Sequence, residues 1–500
     1  MDVNDDAPGL MRNVPSRQKL QSLRWIYDLA RICADGMSDE HSNCPKSTEN
    51  PAPLRLIDLS SGGDTLRLMK KQGMVLKYAA LSYCWGSCKA SGTRKSNLAE
   101  RMLAFELSSL PQTLQDSIVI ARKLEVPGWK MMDYYANAYL TIVPVSCDSA
   151  EQSCLGQQRW VTDQLSGLWV GKPERLLHFN HPVWELVSKE VDKSAWAKRA
   201  WAFQERQLSA RIVFFGRNGI RFECREGAFD KYNCNESSPI KPDIFLPVPN
   251  TPSPEWDALW KIRAKWYNMV SDYVERQLAF ESDRLIALSG VVQKFEILFH
   301  GKDEYMSGFW KNDLCQGLCW DFSTGFKRLP GEDALFQSCF ADSLSLVKSQ
   351  LFPSWSWCCM RRPVEWDDVA GSIPSAQLLE AIKPLNGADF AIQGKAVKLV
   401  LEAWMFPADI LDRTLSEDLE VSVRLDARDK PTINPRTLAK YSAIPLLVGL
   451  YGADEAQWRA SRTTILHKVY GLIIQKANSQ HGGNEEYERM GMFKVLSSRH

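Results

Sequence analysis

The sequence predicts an α/β domain in the first half of the chain and a larger α+β region in the second half. Residues 78–86 form an unbroken apolar and aromatic run between charged and loop-like flanks, which is typical of a strand buried on both faces. A helical pattern follows at 110–124, and a strand followed by a helix favours a βα unit. The last third of the chain holds short β-type runs between turns, which predicts a separate α+β region.

Composition and charge are those of a soluble globular protein with two or three domains. The chain has 500 residues, of which 45% are apolar and 24% are charged. Its 61 basic and 60 acidic residues leave a formal charge of +1, which gives no reason to expect nucleic acid or an anionic membrane as a partner. The 13 cysteines are an odd number in mostly apolar surroundings, which indicates buried thiols.

The N-terminus and the apolar runs predict an intracellular, cytoplasmic protein. The acidic first residues are not followed by an apolar core, so they do not form a secretory signal. The best candidate for a membrane span, residues 443–451, has the length of a strand and not of a spanning helix. We therefore expect no membrane span.

Local patterns give the elements of the first half in order. Apolar residues at helical spacing predict a short helix at 18–33 within an otherwise loosely ordered segment 1–52. The helix at 110–124 has Ser109 as a candidate cap and Pro111 in its first turn. The remaining patterns predict strands at 54–59, 65–69, 139–145 and 211–215, and helices at 129–138 and 196–208.

A Pro-rich stretch separates the two halves of the chain. Residues 235–255 contain six prolines and no periodicity, so we expect a linker between a domain at 53–234 and a C-terminal region at 256–500. In that region, aromatic and aliphatic stripes predict helices at 256–279 and 282–299. The alternation of Trp355 and Trp357 resembles a strand, and the longer β-type runs lie at 396–406, 443–451, 469–474 and 490–496.

Three segments of the first domain carry a distinctive set of residues. They are Tyr-Ala-Ala-Leu-Ser-Tyr-Cys-Trp-Gly at 78–86, Leu-Pro-Gln-Thr-Leu at 110–114 with Asp-Ser-Ile at 116–118, and Arg-Ala-Trp-Ala-Phe-Gln-Glu-Arg at 199–206 with Arg211. In this order and spacing they resemble the fungal heterokaryon-incompatibility (HET) domain, and weaker similarity extends over most of residues 54–500. The residues that carry the motif are Tyr78, Leu81, Ser82, Tyr83, Trp85, Gly86, Leu110, Pro111, Thr113, Asp116, Arg199, Trp201, Gln204, Glu205, Arg206 and Arg211.

The resemblance implies a fold and a role. It implies a central, mostly parallel sheet flanked by helices, distantly similar to TIR domains. It also implies an effector of non-self recognition and regulated cell death in fungi, switched on by a protein partner or by self-association. Two alternatives stay open, a TIR-like NAD hydrolase and an inactive member of the family, so an enzymatic activity is left undecided.

The sequence departs from the family's pattern at one place. The family carries a strand ending in Trp-Ile-Asp and a loop containing Cys-Ile-Gln between the helix at 110–124 and the segment at 134–138. Here residues 125–129 join the two directly. We therefore expect one strand of the sheet to be missing near 126–128, which would leave unpaired strand edges and a void. The cause is either the loss of a coding segment, which would inactivate the domain, or a misassigned exon boundary in the gene model.

Glu205 is the candidate for chemistry. On a helix it shares a stripe with Trp201 and Leu208, and a glutamate on such a stripe is costly to bury without a partner. One interpretation is a buried ion pair with Arg199, Arg206 or Arg211, which would tie the helix to the sheet. The other is a pocket carboxylate or a signalling surface, and because some TIR domains cleave NAD with a pocket glutamate, Glu205 is the candidate catalytic residue.

The strand tip and Asp116 each allow two interpretations. Tyr83, Trp85 and Gly86 form either the rim of a binding site or core packing followed by a glycine turn with positive φ. Asp116 lies in the first two turns of its helix, where interaction with the helix dipole makes a stabilising role the simpler account.

Spacing predicts neither a metal nor a cofactor. The Cys84/Cys88 and Cys315/Cys319 pairs lack a second pair at zinc-finger spacing, and the seven histidines are scattered. No glycine-rich phosphate-binding loop follows a predicted strand, and no serine-hydrolase motif occurs.

Overall fold

The computed structural model describes residues 17–35, 44–45, 53–60, 63–70, 76–88, 92–125, 128–131, 135–155, 183–230, 255–322, 352–353, 355–359, 364–366, 373–374, 377–382, 398–402, 405–408, 419–425, 442–450, 467–476 and 487–497. The chain forms two compact units, Met1–Leu246 and Pro247–His500. Their boundary falls inside the Pro-rich stretch 235–255, and 235–254 lies outside the described residues, as does most of the loosely ordered segment predicted at 1–52.

The described residues of the first unit form an eight-stranded sheet. Its strands are β1 (Arg55–Asp58), β3 (Leu68–Lys70), β4 (Tyr78–Leu81), β6 (Gly128–Met131), β7 (Leu140–Val143), β8 (Arg211–Phe215), β9 (Ile220–Cys224) and β10 (Gly227–Asp230), and two short strands, β2 (Thr65–Leu66) and β5 (Phe105–Glu106), pair apart from it. The predicted strands at 54–59, 139–145 and 211–215 are confirmed, and the one predicted at 65–69 is divided between β2 and β3.

The sheet is mixed, with a parallel centre. Its order is β10-β9-β8-β7-β4-β6-β1-β3, and β6, β4, β7 and β8 run parallel to one another. The outer pairings, β9 with β8 and β10 and β1 with β6 and β3, are antiparallel. The predicted mostly parallel arrangement is therefore right for the four central strands and wrong for the edges.

Strand β6 occupies the position where a strand was expected to be missing. It pairs in parallel with β4, Tyr78 lying opposite Gly128, and antiparallel with β1, Ile57 lying opposite Trp129. The expected unpaired edges of β4 and β1 are therefore wrong, as is the helix predicted at 129–138, which is β6 followed by a short 3-10 turn at Tyr135–Asn137. The four residues pair through their backbone on both sides, so the sheet is continuous from β4 to β1.

Helices cover both faces of this sheet. They are α1 (Arg17–Asp35), α2 (Leu98–Leu103), α3 (Gln112–Lys123), α4 (Val183–Lys193) and α5 (Ala200–Leu208). Ala79 and Leu81 of β4 pack with residues of α1 and α3, whereas Tyr78 and Ala80 face the opposite layer with Tyr135. All four β4 residues are buried, as the run at 78–86 predicts, because alternate side chains enter two different cores.

Helix boundaries differ from prediction where the side-chain signal was misleading. The helices predicted at 18–33 and 110–124 are confirmed as α1 and α3, but Ser109 is not the cap of α3. Pro111 occupies the N-cap position, and the Ser109 hydroxyl donates to the carbonyl of Glu106 at 2.6 Å. The helical pattern at 196–208 becomes regular helix only at Ala200.

The second unit combines helices with an antiparallel sheet, as the α+β prediction states. The helices are α6 (Glu255–Val274), α7 (Ser289–Leu298) and α8 (Leu314–Leu318). A six-stranded sheet has the order β15-β20-β21-β22-β19, with β18 also paired to β20. The strands of the unit are β11 (Tyr305–Met306), β12 (Phe309–Trp310), β13 (Asp321–Phe322), β14 (Val364–Glu365), β15 (Ile373–Pro374), β16 (Gln377–Ile382), β17 (Lys398–Glu402), β18 (Phe406–Pro407), β19 (Leu419–Leu425), β20 (Ser442–Leu450), β21 (His467–Lys476) and β22 (Tyr487–Ser497).

Two sequence predictions in this unit are corrected. Trp355 and Trp357 do not lie on a strand, since Trp357 begins a 3-10 turn at Trp357–Cys359. The helix predicted at 282–299 begins only at Ser289, after short 3-10 turns. Trp266 packs edge-on against Trp310, at 5.5 Å between ring centroids, which agrees with core packing of the tryptophans.

A buried carboxyl makes the stability of the second unit depend on pH. Burial raises the pKa of Asp313 to about 6, although Arg263 and the hydroxyl of Tyr267, which donates to Asp313 Oδ2 at 2.5 Å, lower it. The pKa of Asp313 is higher in the folded chain than in the unfolded chain, so protonation of Asp313 stabilises the folded state. This stabilisation is fully present below about pH 4 and is lost as the pH rises to about 6.

We expect the unfolding free energy of the wild-type unit to fall by about 2–3 kcal/mol between about pH 4 and pH 6, and we expect this fall to be absent in Asp313→Asn. Urea denaturation across that range measures it. Asp283→Asn, which changes a half-buried carboxylate of the same unit, is the matched control and should leave the slope intact. An unchanged slope in Asp313→Asn would contradict the assignment.

Candidate functional site

The three sequence motifs meet at the carboxyl ends of strands β4 and β7. Ser82 extends the ladder beyond β4, its N–H donating to the carbonyl of Ile142 at 3.0 Å. The loop at 146–155 follows β7, and the start of α3 contacts it through Thr113, whose N–H donates to the Ala150 carbonyl at 3.0 Å. The Thr113 hydroxyl also donates to the Gln152 carbonyl at 2.6 Å. The second motif therefore anchors this loop beside the first motif.

Asp116, one turn further along α3, binds the end of the same loop. Its Oδ2 accepts from the Ser153 hydroxyl at 2.7 Å and from the Leu155 N–H at 3.0 Å. Its Oδ1 accepts from Gln112 Nε2 at 2.8 Å, and the side chain is 1% exposed. The stabilising role predicted for Asp116 is supported by these contacts, which bind a neighbouring loop in addition to any effect of the helix dipole.

Gly86 lies in the turn that follows β4, where the chain passes close to the 146–155 loop. Its φ is +59°, and a Cβ built on it would lie 2.7 Å from Ser149 Cβ and 2.8 Å from the Asp148 carbonyl oxygen. The carbonyl of Trp85 accepts from the Ala150 N–H at 3.3 Å. A glycine is required both by the left-handed backbone and by the close approach of the loop, so the predicted positive φ is confirmed.

Ser82 and Glu205 connect the first motif to the third. Strand alternation turns Ser82 to the same face as Tyr78 and Ala80, where α5 packs. The Ser82 hydroxyl donates to Glu205 Oε2 and accepts from Trp196 Nε1 at 2.5 Å. Ser82 and Trp196 are each 1% exposed and Glu205 is 8% exposed, so the carboxylate lies in a nearly closed polar network.

Tyr135 and Arg199 flank this network. The Tyr135 hydroxyl donates to the Leu81 carbonyl at 3.2 Å, and its pKa lies well above its ordinary value because the ring is buried and the negative Glu205 is near. Arg199 Nη1 donates to the Tyr83 carbonyl at 2.5 Å. The backbone of residues 81–83 is thus bound on the side of α5 by side chains from two other segments.

The candidate partners predicted for Glu205 make their hydrogen bonds to other groups, and Arg199 donates to the Tyr83 carbonyl. Arg206 makes a two-pronged contact with Glu223, at 3.0 and 2.7 Å, and a third with Asp192 at 3.2 Å. Arg211 donates instead to backbone carbonyls. Spacing along a helix placed Glu205 on its buried side correctly but could not select a partner, because the serine lies 123 positions away in the chain.

The remaining motif residues are less enclosed. Trp85 is half-buried and stacks near Tyr83, at 5.2 Å between ring centroids, while Gly86 is exposed. Trp201 and Gln204 of α5 are half-buried, so the predicted stripe of Trp201, Glu205 and Leu208 is fully buried only at Glu205. Leu110 is buried and Pro111 half-buried at the start of α3.

The chemistry of this cluster is that of a structural joint. Burial raises the pKa of the Cys84 thiol, although Arg199 lowers it, so Cys84 is a neutral thiol and not an activated nucleophile. The Ser82 oxygen is engaged on both sides and is closed to solvent. The network can fix the relative positions of β4, α5 and Trp196. A movement of any one of its side chains would change the hydrogen bonds of the others.

Trp196 and Tyr135 were missed as members of this cluster by sequence reasoning. Trp196 stood at the start of a predicted helix, and Tyr135 stood in a pattern read as helical. Neither position has a local signal for a polar partner. The aromatic-rich segment near 134–138, which is part of the family resemblance, was the only available pointer.

Comparisons with family models, curated proteins and solved structures find no match for this chain. In the part of the chain that the structure describes, no helix is both long and apolar enough to cross a lipid bilayer. The case for a family and a function therefore depends on the motif residues and their arrangement.

Proposed function

We propose that this chain is a HET-domain effector of non-self recognition and regulated cell death in fungi, acting in the cytoplasm. The observation that carries the proposal is the meeting of the three motif segments around one end of β4. Ser82 bonds to Glu205, and Thr113 and Asp116 hold the loop that contacts Trp85. The motif residues were identified from the sequence alone, and their contacts in the folded chain support a shared structural role.

The polar network around Ser82 and Glu205 is suited to an effector that is switched by protein contacts. A buried, mutually satisfied polar network stabilises one arrangement of its elements and loses much of its energy when a single member moves. A partner or a second copy that shifts α5 or the 146–155 loop would therefore act on all three motifs together.

Helix α2 supports a protein contact on the first unit. None of its residues is buried, and Met102 and Leu103 are 41% and 81% exposed. Leu98 and Arg101 are half-buried, so Met102 and Leu103 are the apolar side chains that this helix offers to a partner.

We expect Leu103→Asp to abolish the growth arrest caused by the wild-type chain without lowering its unfolding free energy by more than about 0.5 kcal/mol. Induced expression in a fungal host, with protein levels measured by immunoblot, tests this. Ile297→Asp, at an apolar residue of α7 that is 65% exposed, is the matched control and should leave arrest unchanged. Arrest by Leu103→Asp at equal abundance would remove α2 from the contact.

The same expression experiment tests the function itself. Growth arrest and cell death on induction support the effector. A stable, abundant chain that leaves growth unaffected would overturn it in favour of an inactive family member. Loss of cellular NAD before arrest, abolished by Glu205→Gln, would replace the effector with a hydrolase.

The NAD-hydrolase alternative receives little support from Glu205. Its carboxylate is 8% exposed and already accepts from the Ser82 hydroxyl. A catalytic carboxylate needs access to the bond it cleaves. We therefore expect no nicotinamide release when the purified full chain is incubated with NAD.

A further inference from the structure

Three cysteine thiols of the first unit converge on one point. Cys33 lies in the last turn of α1, Cys44 precedes Pro45, and Cys224 ends β9. Their sulfur atoms all lie within 4.8 Å of one another, and all three are unbridged thiols. Cys33 and Cys44 are buried and Cys224 is half-buried. No spacing rule could reveal this group, because each thiol comes from a different element.

A buried cation adjoins the three thiols. Arg211 is 1% exposed, and its Nη1 lies 4.0 Å from Cys33 Sγ and 2.8 Å from the Pro45 carbonyl oxygen that it bonds. Its Nε donates to the Tyr139 carbonyl at 2.6 Å, and the guanidinium lies over the Tyr139 ring. Among the described residues, no carboxylate pairs with it. A buried guanidinium needs a compensating negative charge nearby, and carbonyl oxygens supply only partial charge.

We propose that Cys33, Cys44 and Cys224 bind one Zn²⁺ ion as thiolates, with water in the fourth position. Three S–H bonds break and three Zn–S bonds form, and the three protons pass to solvent as the hydrated ion gives up water. Zn–S bonds of about 2.3 Å place the sulfur atoms of a tetrahedral site about 3.8 Å apart, a separation that falls inside the 4.8 Å limit of the present cluster. The zinc and three thiolates together carry one excess negative charge, which Arg211 balances.

The cluster favours a metal over a disulfide. A disulfide would use two of the three thiols and would need an oxidant. It would supply no negative charge to the Arg211 guanidinium. A zinc ion binds all three thiolates at once, and the net negative charge of the resulting site balances the Arg211 guanidinium. Its structural effect is to hold the end of α1 and the Cys44–Pro45 segment against β9, where Arg211 also binds the Pro45 carbonyl.

The metal content of the reduced full-length chain tests the proposal. We expect about one zinc per chain by mass spectrometry after reconstitution and desalting, the stoichiometry of a single site with three protein ligands. Cobalt in its place should give thiolate-to-metal charge-transfer absorption. Cys33→Ser, Cys44→Ser and Cys224→Ser should each lower zinc affinity at least tenfold. Cys88→Ser, a half-buried thiol of the same unit outside the cluster, should bind zinc as the wild type does.

A second measurement covers variants that fail to fold. Removing the metal from the wild-type chain with a chelator should lower its unfolding temperature, and zinc alone should restore it. Wild-type protein that takes up no zinc when reduced overturns the proposal, as does zinc retained at full affinity in all three cluster variants. A disulfide between two of these cysteines in metal-free protein purified without reductant, with no zinc uptake after reduction, assigns the cluster to a redox pair instead.

Discussion

Replacing Gly86 by alanine is expected to destabilise the first unit by about 3 kcal/mol. About 1 kcal/mol comes from forcing an L-residue into the left-handed region at φ +59°. The rest, about 2 kcal/mol, comes from overpacking, because the new Cβ would meet the Ser149 backbone and the Asp148 carbonyl at 2.8 Å. Backbone atoms cannot move aside as a flexible side chain can, so the 146–155 loop must shift.

Two glycines separate the causes of that loss. Gly301 has φ +68° with nothing within 4 Å of a built Cβ, so Gly301→Ala should cost only the backbone term, about 1 kcal/mol. Gly92 has open space and no positive φ, so Gly92→Ala should change stability by less than about 0.5 kcal/mol. Urea denaturation, with each unit's transition fitted separately, gives the three values. A Gly86→Ala loss no greater than that of Gly301→Ala would show that the close approach to the loop is absent.

The second large effect is expected at Glu205. Glu205→Ala should cost about 3 kcal/mol, since it removes a charge-assisted hydrogen bond and leaves the buried Ser82 hydroxyl without its acceptor. Glu205→Gln keeps an acceptor oxygen of the same shape and should cost about 1 kcal/mol. Equal losses in the two variants would mean that packing, and not the hydrogen bond, is what Glu205 contributes.

A double-mutant cycle with Ser82 measures the contact directly. Ser82→Ala removes the donor to Glu205 and the acceptor for Trp196 Nε1. If the hydroxyl and the carboxylate act on each other, Ser82→Ala combined with Glu205→Ala should cost at least about 1 kcal/mol less than the sum of the single losses. Ser117, whose buried hydroxyl donates to the Thr113 carbonyl at 2.7 Å within α3, provides the control, since Ser117→Ala should add to Glu205→Ala without coupling. An additive result at Ser82 would remove the network as the link between the first and third motifs.

Much of the local structure followed from periodicity. The apolar run at 78–86 predicted a strand with both faces buried, and β4 has that burial at all four positions. The amphipathic pattern of α3 and the β-type runs that became β20, β21 and β22 were also sufficient. These signals are local, because a residue's place on a helix face or a strand face depends on its neighbours a few positions away.

The strand at 128–131 shows why some local predictions failed. Its residues gave a weak helical pattern, and the family's pattern suggested that a strand was lost nearby. In the folded chain it completes the sheet between β4 and β1, whose unpaired backbone groups it satisfies. Pairing with two existing strands outweighed the intrinsic preference of four residues.

By itself, the sequence determined where many of the strands and helices form and that Glu205 lies on the buried side of its helix, and it offered a left-handed turn at Gly86 as one of two interpretations. Only the tertiary structure decided what those residues contact. Ser82 meets Glu205 across 123 positions, and the thiols of Cys33, Cys44 and Cys224 meet from three elements. The reason is physical: periodicity records which face is apolar, whereas the partner of a buried polar group is fixed by the packing of distant elements around a common core.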